Sequence, residues 1–168
     1  MKHTSLRALL SFAVVCLTAS MATPAFAQKA IVVVRHAEKV DESRDPLLSP
    51  AGTARAEALA KILKSLDIKA VYVTQFQRTT LTAAPTMAAR NLKPIEVSAG
   101  ATPELVERMK KEFPNDVVMT VGHSNTVPAI LKALGATETV ELADAEYDNL
   151  FIVVPAASGP PTVLRLRY

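Results

Sequence analysis

Short apolar runs alternate along this chain with segments of helical periodicity, and this alternation restricts the fold more than any other feature. The run Ala30–Val34 is rich in β-branched residues and is typical of a strand buried on both faces. Five further runs of this kind predict strands at 70–73, 94–97, 116–121, 150–154 and 162–166.

Helical patterns occupy the intervals between the first five strands. Ser49 and Pro50 open the first helix, in which leucine and isoleucine recur at helical spacing. The second spans about 78–90 with Pro85 inside it, which predicts a late start or a kink. The third spans 103–113, and the fourth follows residue 125 and stops at Gly135. The order β-α-β-α-β-α-β-α-β-β predicts an α/β three-layer sandwich whose mostly parallel central sheet is flanked by helices.

The first 27 residues have the three parts of a secretory signal peptide. Lys2 and Arg7 form a basic start, an apolar run covers 9–17, and Ala25-Phe26-Ala27 supplies the small residues that precede cleavage. The apolar run is shorter than the roughly 20 residues that span a bilayer, so a retained membrane anchor is the less favoured alternative. We expect cleavage after Ala27, a periplasmic or secreted location, no stable membrane insertion, and one domain over residues 28–168.

The charge balance argues against nucleic acid as a partner. The chain holds 19 basic and 16 acidic residues, and two of the basic ones lie in the leader, so the remainder is almost neutral. No cluster of lysine and arginine forms a stripe for a phosphate backbone. The single cysteine, Cys16, also lies in the leader, and the sequence has no H-x-x-H motif or carboxylate cluster. We therefore expect neither a metal nor a cofactor.

The most informative polar residues follow the predicted strands. Arg35 and His36 follow the first strand, Arg78 lies shortly after the second, and His123 lies just after the fourth. Ligands of open α/β sheets bind beyond the carboxyl ends of the strands, so we expect these four side chains to converge. Taken singly, each also suits a structural role, as a solvated strand end, a surface arginine or a turn histidine before a helix cap.

Two guanidiniums and two imidazoles suit a dianionic phosphoryl group. Arginine presents a planar fork of donors that matches phosphate oxygens, and cationic neighbours keep a histidine unprotonated and nucleophilic. One histidine can then attack phosphorus in line while the other groups hold its oxygens. Ser124 and Asn125 begin the helix after His123, where backbone amides predict a further contact with the substrate, although either side chain also suits a helix cap.

Four segments resemble the histidine phosphatase superfamily, which includes the cofactor-dependent phosphoglycerate mutases. Residues 34–39, Val-Arg-His-Ala-Glu-Lys, resemble its first-histidine signature, and residues 121–126, Val-Gly-His-Ser-Asn-Thr, resemble its second-histidine motif. Arg78-Thr79 with Thr82-Ala83 is similar to its middle arginine segment, and residues 46–49 with Gly52 are similar to the stretch that opens its first helix. The resemblance spans about residues 30–154, and the motifs occur in the family's order.

This resemblance implies roles for the four converging side chains. His36 would be the phosphorylated nucleophile, and Arg35, Arg78 and His123 would complete the phosphate pocket. Glu38 would orient the pocket and contribute to substrate binding.

The resemblance is weakest at the general acid. In the family this residue lies in an acidic segment between the middle arginine and the second histidine, and this chain has no clean match there. Glu104 is the candidate, followed by Glu107 and Glu96. A compact member can also lack an acid at this position.

The sequence thus predicts a metal-independent phosphatase that hydrolyses phosphate monoesters through a phosphohistidine on His36. Its partner would be a phosphorylated small molecule or a phosphorylated macromolecule. A phosphomutase is the nearest alternative, because the same pocket can return the phosphoryl group to another hydroxyl. A non-catalytic module that binds phosphorylated ligands is a second alternative, which the intact His36 disfavours. We expect the loops at 40–46, 98–103 and 137–147 to select among substrates. Tyr147 is expected in the core or at the rim of the site.

Overall fold

A computed structural model describes residues 28–168, so the predicted signal peptide lies outside the described residues. The strands are β1 Ala30–Arg35, β2 Ile68–Val73, β3 Pro94–Glu96, β4 Val117–Gly122, β5 Asn149–Val154 and β6 Thr162–Arg167. They form one sheet in the order β3-β2-β4-β1-β5-β6. The first four strands are parallel, and β5 and β6 add antiparallel at one edge. The predicted mostly parallel sheet is therefore confirmed.

The helices are α1 Pro50–Ile62, α2 Gln77–Ala88, α3 Thr102–Glu112 and α4 Thr126–Ala133. Ser49 caps α1, because its hydroxyl accepts the N–H of Gly52 at 3.1 Å. Helix α2 runs through Pro85 and does not start late. A residue remote in the sequence caps the start of α2, because the carboxylate of Asp45 accepts the N–H of Gln77 at 2.9 Å. Within residues 28–168, no helix is both long and apolar enough to cross a membrane.

Helices cover both faces of the sheet. In β1, Ile31 and Val33 point to one face, where they join a core cluster that includes residues of α3 and α4. Val32 and Val34 point to the other face and join a cluster that includes residues of α1 and α2. The continuous apolar run of β1 follows from this arrangement, because a strand covered on both sides has no solvent face.

The site lies at the point where the chain switches faces. Strand β1 leads into α1 on one face, and the adjacent strand β4 leads into α4 on the other. Neighbouring strands that continue to opposite faces leave a crevice beyond their carboxyl ends. The residues at that crevice are those that follow Arg35 and Gly122, which lie opposite each other in the β1–β4 register.

Candidate active site

The two histidines of the described chain meet beyond the ends of β1 and β4. The N–H of His36 donates to the carbonyl of Gly122 at 2.8 Å, which extends the parallel pairing by one residue. The rings of His36 and His123 therefore lie side by side, with centroids 5.2 Å apart and planes at 61°. Gly122 leaves room for the turn into α4, since an added Cβ would lie only 2.7 Å from Oγ1 of Thr126, which accepts the N–H of His123 at 2.8 Å.

His36 is held in one tautomer by its own backbone. Its Nδ1 lies 2.8 Å from the carbonyl oxygen of Ala37, and a carbonyl can only accept, so Nδ1 carries the hydrogen. Burial, with added effects from the charges of Arg78, Arg35 and a protonated His123, lowers the pKa of His36 to about 3. Near neutral pH the ring is therefore neutral, and Nε2 has a free electron pair.

His123 is buried beside His36 and is bonded on its other side. Its Nε2 lies 3.1 Å from Oγ1 of Thr74, and its ring meets the ring of Phe76 edge-on with centroids 5.4 Å apart. Burial, reinforced by Arg78 and Arg35, lowers the pKa of His123 to about 4. Among residues 28–168, Nδ1 of His123 has no hydrogen-bond partner. This nitrogen is itself buried.

Arg35 connects the end of β1, beside the two histidines, to the loop that precedes β5. Its Nη1 donates to the carbonyls of Ala143 at 2.9 Å and Asp144 at 3.0 Å, and its guanidinium stacks 4.1 Å from the ring centroid of Tyr147. The ring of Tyr147 lies in turn 6.0 Å from that of His36. Arg35 therefore orders this loop and places an aromatic ring beside the histidine.

Arg78 enters the site from the first turn of α2. Its guanidinium stacks 4.3 Å from the ring centroid of Phe76, and its Nη1 lies 3.8 Å from the carboxylate of Asp45. Because Asp45 also accepts the first N–H of α2, one carboxylate fixes both the helix start and the arginine. Burial lowers the pKa of Arg78 and Asp45 opposes this shift, so the group remains a cation.

These four side chains line an open cleft of about 460 Å³. The predicted contacts Ser124 and Asn125 line it as well, at the turn that leads into α4. Asn125 is the cap residue of that helix but makes no side-chain capping bond. Each predicted selectivity loop also reaches the cleft, through residues 42–44, residues 99–100 and Asp144.

The structure does not bring the remaining predicted residues into the cleft. The carboxylate of Glu38 is engaged by Arg55 through bonds of 2.7 to 2.9 Å, at the base of the loop that follows His36. Burial alone would raise the pKa of Glu38, but the bonds to Arg55 lower it. Glu104 lies in the first turn of α3, exposed and outside the cleft lining, and Glu107 and Glu96 are exposed too.

Several site residues were not predicted from the sequence. Tyr147 was assigned to the core or rim, yet it stacks on Arg35 beside His36. Asp45 and Asp144 lie in two of the loops expected to give selectivity, but nothing in the sequence singled out either residue or the contact of Asp45 with α2. The stacking of Phe76 on Arg78 could have been suspected from their i, i+2 spacing at a helix start.

The arrangement has the properties of an oxyanion site. Within the described chain, buried nitrogens without partners include Nε of Arg35, Nε of Arg78 and Nδ1 of His123, and all three belong to side chains that line the cleft. These nitrogens are shielded from solvent, so the oxyanion character rests on the two guanidiniums and two imidazoles that line the cleft, which can form charge-assisted hydrogen bonds with an anion. Among residues 28–168, His, Asp and Glu side chains form no group of three that could hold a metal ion.

A family model matches part of the chain that carries this cleft. The family model of the histidine phosphatase superfamily (branch 1) matches residues 31–101, which include Arg35, His36 and Arg78. His123 lies beyond the matched segment and reaches the site through the pairing of β1 with β4. No curated protein matches the chain by sequence.

Solved structures share the fold at low sequence identity. The protein histidine phosphatase SixA complexed with tungstate superposes with a TM-score of 0.67 at 19% identity, covering 82% of this chain and 96% of that chain. The α-ribazole phosphatase from Shigella flexneri gives 0.66 at 10% identity, covering 81% and 96%. A mycobacterial glucosyl-3-phosphoglycerate phosphatase gives 0.64 at 13% identity, covering 83% and 98%. At these identities the similarity establishes the fold.

Proposed function

We propose that the chain is a member of the histidine phosphatase superfamily, whose family model matches residues 31–101, and that it hydrolyses phosphate monoesters through a phosphohistidine on His36. The observation that carries the proposal is the state of His36 itself. The bond from Nδ1 to the carbonyl of Ala37 leaves Nε2 unprotonated and turned away from that bond, in a ring that is neutral at physiological pH. A nucleophilic nitrogen is thus available without prior proton removal.

In the first half-reaction, Nε2 of His36 attacks phosphorus and the bond from phosphorus to the ester oxygen breaks. The leaving oxygen takes a proton and departs as an alcohol. Arg35 and Arg78 would hold the phosphoryl oxygens, because both side chains line the cleft and guanidinium groups match phosphate oxygens in geometry and charge. Fixed cations at the site of charge development lower the barrier in a preorganised pocket.

In the second half-reaction, a water oxygen attacks phosphorus and the bond from phosphorus to Nε2 breaks. The electron pair returns to His36, the water loses a proton, and inorganic phosphate leaves. The open cleft gives water access to the phosphoenzyme. A mutase would return the phosphoryl group to a second hydroxyl instead, and a binding module would stop at the complex.

The structure offers one carboxylate for the proton on the leaving oxygen. Two acidic side chains line the cleft, Glu42 and Asp144. Both are exposed, and Glu42 is paired with Lys39. Asp144 forms no ion pair within residues 28–168, and Arg35 holds its backbone. We assign the proton transfer to Asp144 in place of Glu104, which lies outside the cleft.

The proposed substrate is a phosphorylated small molecule or macromolecule that reaches the cleft from its open side. The relatives differ in this respect, since SixA is a protein histidine phosphatase and the mycobacterial relative a glucosyl-3-phosphoglycerate phosphatase. The tetrahedral oxyanion tungstate in the SixA complex supports an oxyanion at this site.

Turnover of p-nitrophenyl phosphate in excess EDTA tests the proposal. The purified protein should release nitrophenol, and His36→Ala should reduce the rate by at least a hundredfold. Arg90→Ala is the control, because Arg90 binds backbone carbonyls of residues 63 and 66 outside the cleft. Activity that survives in His36→Ala, or that EDTA abolishes, would contradict the proposed mechanism.

We also propose that the protein is exported, on the strength of the sequence of residues 1–27. Expression of the full chain followed by cell fractionation and N-terminal sequencing tests this. A mature protein that begins at Gln28 outside the cytoplasm is the expected result, and an uncleaved cytoplasmic protein would contradict it.

A further inference from the structure

A chain of hydroxyl groups leads from His123 into the protein. Nε2 of His123 lies 3.1 Å from Oγ1 of Thr74, and that oxygen lies 3.1 Å from Oγ1 of Thr79. Oγ1 of Thr79 lies in turn 2.8 Å from the carbonyl oxygen of Phe76. All three side chains before the carbonyl are buried, so water does not replace these contacts.

The directions of the three hydrogen bonds follow when each contact holds one hydrogen. Oγ1 of Thr79 lies near two carbonyl oxygens, those of Phe76 and of Thr74 at 3.2 Å, and it accepts the backbone N–H of Thr74 at 3.0 Å. A carbonyl can only accept, so Thr79 donates its hydroxyl hydrogen to Phe76. The hydrogen between the two threonines must then come from Thr74. Because Thr74 has no other hydroxyl hydrogen, the hydrogen between it and the ring must come from Nε2 of His123. No other assignment places one hydrogen in each of the three contacts.

We propose that Thr74 is a positioning residue that holds His123 in its Nε2–H tautomer, so that Nδ1 is unprotonated in the free protein and takes up a proton when an oxyanion binds. This inference rests on the phosphate site proposed above. His36, by contrast, is held as the Nδ1–H tautomer, so the two neighbouring rings have opposite tautomers.

The proton uptake follows from the surroundings of Nδ1. With Nε2 bonded to Thr74, Nδ1 is the ring nitrogen without a partner within residues 28–168, and a bare nitrogen would repel the oxygen of a dianion that binds beside it. The charged groups that act on the ring are Arg78 on α2 and Arg35 at the end of β1, and the neutral His36 lies beside the ring. Both cations disfavour a proton on His123 while the cleft is empty. A bound dianion offsets their charge and accepts a hydrogen bond from protonated Nδ1.

Nitrogen NMR of the ¹⁵N-histidine-labelled protein, without ligand, tests the tautomer. His123 should show a protonated Nε2 and a bare Nδ1, and His36 the reverse, with the signals assigned through His36→Gln and His123→Gln. Thr79→Val should invert the tautomer of His123, because the hydroxyl of Thr74 then donates its hydrogen to Nε2. Thr79→Ser should leave the tautomer unchanged. Thr74→Val should give a mixture of tautomers and Thr74→Ser the wild-type state. A Nδ1–H tautomer in the wild type, or no response to Thr79→Val in a variant of unchanged near-UV circular dichroism, would overturn the proposal.

Calorimetry with tungstate tests the proton uptake. Tungstate keeps its charge near neutral pH, so titrations in two buffers of different ionisation enthalpy report the protons taken up by the protein. We expect about one proton per tungstate and a tenfold weaker affinity for each pH unit above neutrality. His123→Gln should remove this dependence. Uptake of no proton would overturn the coupling, whereas failure of tungstate to bind at all would contradict the phosphate site and leave the NMR result to decide the role of Thr74.

Discussion

His36 and His123 lie with ring centroids 5.2 Å apart because β1 and β4 pair in parallel with Arg35 opposite Gly122. Each histidine is the first residue beyond its strand, so the register of the sheet sets the spacing of the rings. The same register brings Arg35 to the cleft beside them. The reactive centre is therefore fixed by the most buried part of the molecule, the pairing of two strands covered on both faces.

Arg78→Ala should reduce kcat/KM for p-nitrophenyl phosphate on the order of a hundredfold, because the substitution removes a preorganised cation from the phosphoryl oxygens. Asp45→Asn keeps the arginine but loses the charge that orients it, so a smaller loss is expected. Arg90→Ala is the control, since Arg90 binds backbone carbonyls of residues 63 and 66 away from the cleft. Steady-state kinetics check this series. Wild-type activity in Arg78→Ala would remove the residue from the site.

Asp144→Asn should slow phenyl phosphate by roughly a hundredfold and p-nitrophenyl phosphate far less, because nitrophenolate leaves without a proton and phenolate needs one. Glu42→Gln is the matched control in the same cleft and should affect both esters alike. The ratio of the two kcat/KM values in each variant is the measurement. A ratio unchanged by Asp144→Asn would eliminate this carboxylate as the proton donor.

Tyr147→Ala should lower kcat/KM roughly 3- to 30-fold, the range expected when a cation loses an aromatic partner at a partly desolvated site. Tyr147→Phe keeps the ring that stacks 4.1 Å from Arg35 and should retain activity near that of the wild type. Kinetics and thermal unfolding of both variants separate a local effect from a loss of folding. An equal loss of kcat/KM in both variants would show that the hydroxyl of Tyr147, and not its ring, supports activity.

Acid should destabilise this protein through its two buried histidines. Both folded-state pKa values lie below the ordinary value of 6.5, at about 3 for His36 and about 4 for His123. The unfolded chain therefore binds more protons between these values, so the contribution to stability is complete above pH 6.5 and is lost as pH falls toward the folded values. The loss should approach about 1.4 kcal/mol per pH unit for each histidine.

Urea denaturation at pH 7 and pH 5 measures this effect. The double variant His36→Gln, His123→Gln should lose clearly less unfolding free energy than the wild type between these pH values. A wild type and double variant with the same pH dependence would show that both histidines titrate normally in the folded state.

The periodicity of apolar residues in the sequence was sufficient to predict the strands and helices of this protein. Buried strands leave continuous apolar runs, and the residues that follow them must lie at one edge of a parallel sheet, so His36 and His123 could be placed together in advance. The general acid could not be placed this way. Glu104 stands in the expected interval of the sequence, but its position on α3 directs it outside the cleft.

The loops account for the remaining differences. Tyr147 and Asp144 reach the site only because three carbonyls of their loop bind Arg35, more than 100 positions away in the sequence. Glu38 leaves the cleft because Arg55, 17 residues further on, engages its carboxylate. Such contacts depend on the path of the backbone in the folded protein, so no local pattern in the sequence predicts them.

Rapid acid-free quenching of the enzyme with ³²P-labelled substrate, followed by mass spectrometry of its peptides, tests the central claim most directly. The account predicts a phosphoryl group on His36 that is stable in alkali and labile in acid, and that is absent from His36→Ala. Label on His123, on a serine or threonine, or on no residue during full turnover would contradict it.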